Sequence, residues 1–218
     1  MSMSRTIQRV LTDPNNQRSF SARARAKRWG ELMRRFPSLG TMRVLDLGGV
    51  PDFWRKSEDR PAHVTTVNLL AATADEPWLD HIVGDACAPE GLSGKEFDLV
   101  VSNSLLEHVG GYARRVQLAD VIHKHAPRHW VQTPYRYFPI EPHWAFPGLQ
   151  FLPLPARAAA VRRWPLGHAA IPGRAESTDA VLATELLSLT EMRLLFPGSD
   201  IWHERAAGLI KSLVAVQT

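Results

Sequence analysis

Cysteine is nearly missing from this chain of 218 residues, where Cys87 stands alone. That excludes an internal disulfide framework and leaves a Cys-rich zinc site without ligands. Long apolar runs are missing too. No stretch approaches the ~20 residues that span a bilayer, and the Arg-rich N-terminus lacks the apolar segment of a secretory signal. A cytoplasmic protein is therefore expected. There is no internal repeat and no low-complexity tract. Acidic residues are scarce near the start: residues 1–43 hold ten Lys and Arg against Asp13 and Glu31, in a chain whose net charge is +4.

What is present is ordinary for a globular protein, with 44% hydrophobic and 22% charged residues. The length suits one domain with a full core, or a domain carrying a helical arm. Phe20, Ala24, Trp29, Leu32, Met33 and Phe36 recur at helical spacing. They predict a helix capped by Ser19 or Ser21 and ending near Phe36, so residues 1–41 are expected to form a basic arm packed on a domain over 42–218. The arm's arginines would then face outward as a solvated surface. The other reading is a patch for phosphate, nucleic acid or an anionic membrane surface.

The most informative stretch is Met42 to Asp52, MRVLDLGGVPD. An aliphatic strand (Arg43–Leu47) ends in an acid and a Gly pair, and Pro51 can open a helix to about Lys56. Residues without side-chain bulk let a ligand approach the backbone there. The string departs from the dinucleotide GxGxxG pattern, since Val50 and Phe53 stand where further glycines would be. Further strands are expected at His63–Leu69, His81–Val83, Phe97–Val101 and His129–Thr133, with a helix around Val116–Ile122. Strands alternating with helices at this spacing predict an α/β fold, Rossmann-like and doubly wound, with a mostly parallel seven-stranded sheet. Strands near Ile201–Arg205 and Leu209–Val216 would close it as a C-terminal antiparallel hairpin. Helices are expected around Ala180–Leu187 and, capped, from Thr190. Between them and the fifth strand, residues 134–172 carry eight prolines and many aromatics. That stretch reads as a long irregular lid, and loops of such length are usually functional.

Asp46, Asn68, Asp85 and Asn103-Ser104 fall at or just past the carboxyl ends of expected parallel strands, the edge where open α/β sheets bind ligands. At these residues the chain resembles the class I S-adenosylmethionine-dependent methyltransferases, and most of all the type 11-like bacterial group. The matching segments are VLDLGG, VGDA, FDLVVSNSLLEHVG, TPYRYFPIEPH and KSLVAV. The resemblance implies S-adenosylmethionine as cofactor. Asp46 with Gly48 and Gly49 resembles the loop that cradles its amino-acid end. Asn68, followed by Leu69, stands where the family usually has an acid bridging the ribose hydroxyls. Asp85 and Ala86 resemble the adenine contacts, and Asn103 and Ser104 lie beside the reactive methyl.

Methyl transfer from a sulfonium needs positioning, plus a base if the nucleophile must lose a proton. The candidates are His143, His108 and Glu141, each of which could equally make a structural hydrogen bond; for His108 a backbone-holding role is the natural alternative. Tyr135, Arg136, Tyr137 and Trp144 could wall an acceptor pocket, or pack the lid. No metal ligand set is expected: His123, His125 and His129 cluster without a cysteine, and no carboxylate trio is evident. The expected activity is methylation, at oxygen, of a small-molecule or glycan-type acceptor. The rivals are a nucleic-acid methyltransferase holding phosphates with the basic arm, and a non-catalytic partner subunit that binds the cofactor, or nothing.

Overall fold

The computed structural model describes residues 20–57, 59–164 and 173–218, without the side chains of 20–22. The expected caps Ser19 and Ser21 and the contribution of Phe20 to the arm lie outside what is described.

Helix α1 (Phe20–Arg35) is followed by β1 (Arg43–Leu47), α2 (Pro51–Arg55), β2 (His63–Asn68), β3 (Leu79–Val83), β4 (Leu99–Asn103), α3 (Gly111–His125) and β5 (His129–Pro134). The lid holds a hairpin, β6 (Ile140–Glu141) with β7 (Phe146–Pro147), and helix α4 (Leu154–Arg163). Then come α5 (Arg174–Leu182), α6 (Leu189–Leu195), β8 (Asp200–Ala206) and β9 (Leu209–Gln217). The seven-stranded sheet runs β3-β2-β1-β4-β5-β9-β8, parallel from β3 to β5 and antiparallel at β9 and β8.

Strand residues alternate between the two faces. Leu45, Leu47, Val100 and Val131 pack with Leu118 and Ile122 of α3 and with Met192 of α6. Val44, Val64, Leu99 and Trp130 pack with Leu32 of α1, with Phe36 just beyond it and with Trp54. Helices cover both faces, which is why the strands read as near-continuous apolar runs. The lid has a small core of its own, where Trp144 and Leu149 meet Val161 of α4 and Val181 of α5. No helix among the described residues is long and apolar enough to cross a membrane.

Three expectations are corrected. The fourth strand starts at Leu99 and runs through Asn103 rather than spanning Phe97–Val101: Asp98 exchanges hydrogen bonds with the backbone of Arg43 through its own N–H and carboxylate, so residues 97–98 lead into the sheet without extending it. The lid is not irregular throughout. Pro153 and Pro155 sit at the start of α4, where a missing N–H costs little, and the following Ala-rich run favours helix. The helix expected at 180–187 ends at Leu182, and the next is capped by Ser188, whose hydroxyl accepts from Glu191 N while the Glu191 carboxylate accepts from Ser188 N.

Candidate functional site

The carboxyl ends of β1 and β4 open onto a cavity of about 330 Å³. Asp46, Gly48, Gly49, Asn103 and Ser104 line it from the sheet. Gly48 has φ +85°, which side chains rarely adopt, and its N–H donates to Val67 O at 2.8 Å, tying the turn to β2. At Gly49 the constraint is space: a Cβ there would lie 1.7 Å from Asp46 Oδ2. Asp46 is buried, accepts from Trp54 Nε1 at 2.8 Å, and burial pushes its pKa up to about 7. Ser104 sits at φ 53°, a strained turn directly after β4.

Helix α1 supplies the roof. Arg25, Arg28, Trp29 and Leu32 line the same cavity, so Arg25 and Arg28 point inward, against the expectation that the arm's arginines face outward. Arg28 donates to Gln132 Oε1 at 2.5 Å and lies 3.4 Å from a buried Glu204 carboxylate. Gln132 also accepts from Ser104 Oγ at 3.0 Å, so roof, β5 and the β4 turn share one network. Burial lowers the Arg28 pKa, and Glu204 works against that.

Asn68 serves the loop. Its Nδ2 donates to Gly48 O at 2.7 Å and to Gly49 O at 3.3 Å, and its Oδ1 accepts from Leu70 N. Beyond it the edge turns apolar and open, with Leu69 75% and Val83 59% exposed. Asp85 follows, accepting from Cys87 N and bridged by Arg114 of α3, which holds its carboxyl below the usual range. Ala86 is buried beside it.

A second cavity, about 670 Å³, lies under the lid and is lined by Arg136, Glu141, Trp144, Phe151, Arg157 and Thr184 among others. Tyr135 and Tyr137 do not line it: their rings pack against each other at 5.5 Å, and Tyr137 stacks on Phe151. A polar cluster adjoins this cavity through Glu141 and reaches toward the first cavity through Glu107, whose charge acts on Arg28. Glu141 accepts from Trp144 N at 2.8 Å, and its other oxygen lies 2.7 Å from His143 Nδ1. The His143 and His108 rings meet edge-to-face at 4.8 Å. Burial works to lower the His143 pKa, but the Glu141 carboxylate prevails and raises it. His108 Nδ1 approaches Ala183 O at 3.3 Å and Thr184 Oγ1 at 3.5 Å, so it does hold backbone. Glu107 lies fully buried beneath, accepting from Thr133 Oγ1 at 2.9 Å, and burial drives its pKa up.

Glu107, Arg28 and Gln132 are the site residues that sequence reasoning passed over. The signal for Glu107 was its place beside His108 after β4, where a side chain can turn under the sheet edge. His123, His125 and His129 are separately occupied: they contact Leu195 O, Val121 O and Ser199 Oγ. A larger depression, about 1020 Å³, lies by Arg43 and Asp98 at the amino end of β1 and β4. Ligands of open α/β sheets bind at the opposite edge, so the two smaller cavities are the candidate site.

No protein-family model matches the chain, and no curated protein does. Solved structures do. The N-methyltransferase NodS from Bradyrhizobium japonicum WM9, in complex with S-adenosyl-L-homocysteine, aligns at TM-score 0.56 and 14% identity, over 98% of this chain and 96% of that one. Magnesium protoporphyrin IX methyltransferase (ChlM) from Synechocystis PCC 6803, with bound SAH, aligns at 0.57 and 11%, over 99% and 93%. A possible exported protein from Bordetella parapertussis aligns at 0.53 and 12%, over 98% and 79%. At these identities the likeness is one of fold.

Proposed function

We propose that this chain, which has the fold of the class I S-adenosylmethionine-dependent methyltransferases, is an enzyme that uses that cofactor to methylate an oxygen of a small-molecule or glycan-type acceptor. One observation carries the reading: a cavity at the carboxyl ends of β1 and β4 and a cavity under the lid are linked by one polar cluster, in which Glu141 lines the second cavity, contacts His143 and through it His108, and Glu107 is near enough to Arg28 of the first to act on its charge.

The residues present fit the cofactor. Gly48 and Gly49 leave a floor free of side chains, Arg25 and Arg28 bring positive charge to where a carboxylate would lie, and Leu69 and Val83 offer an apolar shelf to a purine. A volume near 330 Å³ is at the lower end for a small-molecule pocket. When bound, the cofactor would supply a methyl group on a sulfonium centre. The remaining tasks fall to this chain. Asn68 fixes the Gly loop in shape. Trp144, Phe151, Arg136 and Arg157 would hold an acceptor with aromatic and polar parts under the lid. His143, oriented by Glu141, is placed to take the acceptor's hydroxyl proton.

Against the nucleic-acid reading stands the pairing of several of the arm's arginines with acids of the same chain. Arg34 and Arg35 share Glu31, Arg35 also reaches Asp200, and Arg28 is turned into the site. The test has two steps. Calorimetry with S-adenosylmethionine should show one site per chain; no heat at millimolar cofactor would leave only the non-catalytic subunit reading. Incubation with the methyl-tritiated cofactor and a fractionated cell extract should then label the small-molecule or glycan fraction. Label in RNA alone would overturn the acceptor assignment.

A further inference from the structure

The polar cluster beside the lid cavity has the makings of more than a proton relay. Glu107, His108 and His143 each offer a ligand atom, and these atoms all lie within 4.8 Å of one another. The chain places them from two separate segments, the turn after β4 and the lid hairpin.

Three further observations bear on what the trio would hold. Glu107 is 1% exposed, and its Oε1 has no hydrogen-bond partner among the described residues. A buried carboxylate oxygen without a partner is costly, and a cation beside it removes the cost. Next, the imidazoles are oriented from behind. Nδ1–H of His143 donates to the Glu141 carboxylate and Nδ1–H of His108 to Ala183 O, which fixes the setting of each ring. That is the outer-shell arrangement by which proteins fix metal-binding histidines. Finally, Glu141 and Thr184, which contact the two imidazoles, both line the cavity under the lid.

We infer that Glu107, His108 and His143 form a binding site for one divalent first-row transition-metal ion, at which an oxygen of the acceptor completes the coordination. Two imidazoles and a carboxylate suit zinc, iron or manganese better than calcium or magnesium, which prefer oxygen ligands throughout. Three protein ligands leave positions open, as catalytic metal sites do. Ligand atoms around such an ion stand ~3–3.5 Å apart in tetrahedral geometry, so atoms now up to 4.8 Å apart would close by up to about 1.5 Å on binding, a shift taken up by the two turns that carry them. The role rests on the methyltransferase reading: with His143 engaged by the ion rather than serving as base, the ion would hold the acceptor hydroxyl and lower its pKa so that water takes its proton, while the oxygen accepts the methyl and the demethylated cofactor leaves as a thioether. The binding itself does not depend on that reading.

The experiment titrates the full chain, stripped with chelator, with cobalt(II) chloride and follows the visible d–d absorption, with calorimetry for S-adenosylmethionine on the same samples. One equivalent of cobalt should bind, displaceable by zinc. His108→Ala, at an exposed position, and Glu107→Gln, which keeps the side chain's shape, should each weaken cobalt binding about 100-fold or more. Glu141→Gln should weaken it about 10- to 100-fold by releasing the His143 ring. His123→Gln, on the far side, should leave it unchanged. Absent cobalt bands, or bands that survive both Glu107→Gln and His108→Ala, would overturn the metal site even with cofactor binding intact. Bands lost in His123→Gln would overturn it as well. Cobalt bound without any cofactor binding would leave the site standing and remove the methyltransferase reading.

Discussion

Replacing Asp46 by Asn should change how the stability of the ligand-free protein depends on pH. The carboxyl is buried, with one hydrogen bond from Trp54 and the Gly loop folded over it. Burial raises its pKa from 3.8 to about 7, the Trp54 bond opposing. A carboxyl whose folded value lies above its unfolded value contributes stability fully below the unfolded value and loses it as pH rises through the folded one. Over that interval, at ~1.4 kcal/mol per pH unit, the loss comes to about 4 kcal/mol. Linkage places about 2.5 kcal/mol of it between about pH 5 and about pH 8. Asn is uncharged throughout and can still accept from Trp54. Urea unfolding of both proteins at the two pH values therefore has a defined outcome: the wild type should lose about 2.5 kcal/mol more than Asp46→Asn over that range. Other titrating groups cancel in the difference. Equal pH dependence in the two proteins would mean that Asp46 is ionised at little cost, and the account of the loop would be wrong.

Gly49→Ala should force the Asp46 carboxylate off Trp54, because the new methyl would lie 1.7 Å from Oδ2; calorimetry should show cofactor affinity down about tenfold or more, with a stability loss of about 1–3 kcal/mol. Asn68→Asp should weaken cofactor binding, since a carboxylate would face the carbonyl oxygens of Gly48 and Gly49 where the amide now donates; tighter binding would instead show that a ribose contact outweighs the loop. His143→Ala should cut turnover ~100-fold or more with cofactor affinity unchanged, and full turnover would remove His143 from the mechanism.

The frame was legible in sequence because its signals are local. The first strand begins and ends where the aliphatic run does, and Pro51 does open a helix. The carboxyl-edge residues Asp46, Asn103 and Ser104 were legible for the same reason: each lies at or just past the end of a strand. What Asn68 does was not, since its partners lie 19 and 20 residues away and its amide chose the loop's carbonyls. Nor was the cluster. Glu107 and His143 sit in different segments, and only the fold of the lid onto the β4 turn sets them together. The inward turn of Arg28 depends on Gln132, 104 residues away. A helical wheel shows a polar face and cannot show that a buried glutamate waits beneath it.

The docking of α1 has a consequence for how the chain is made. Arg35 meets Asp200 across 165 residues of sequence, and the same helix buries Leu32, with Phe36 just beyond it, against Val214 and Val216. At ~5–20 residues per second, a ribosome needs roughly 10–30 s to cover that separation. For that interval the helix's apolar face has no sheet partner from the C-terminal hairpin, and the roof of the ligand cavity cannot be set. Until the hairpin emerges, the apolar face of this helix can pack only on the earlier strands and Trp54, and its final docking waits for the last residues of the sheet.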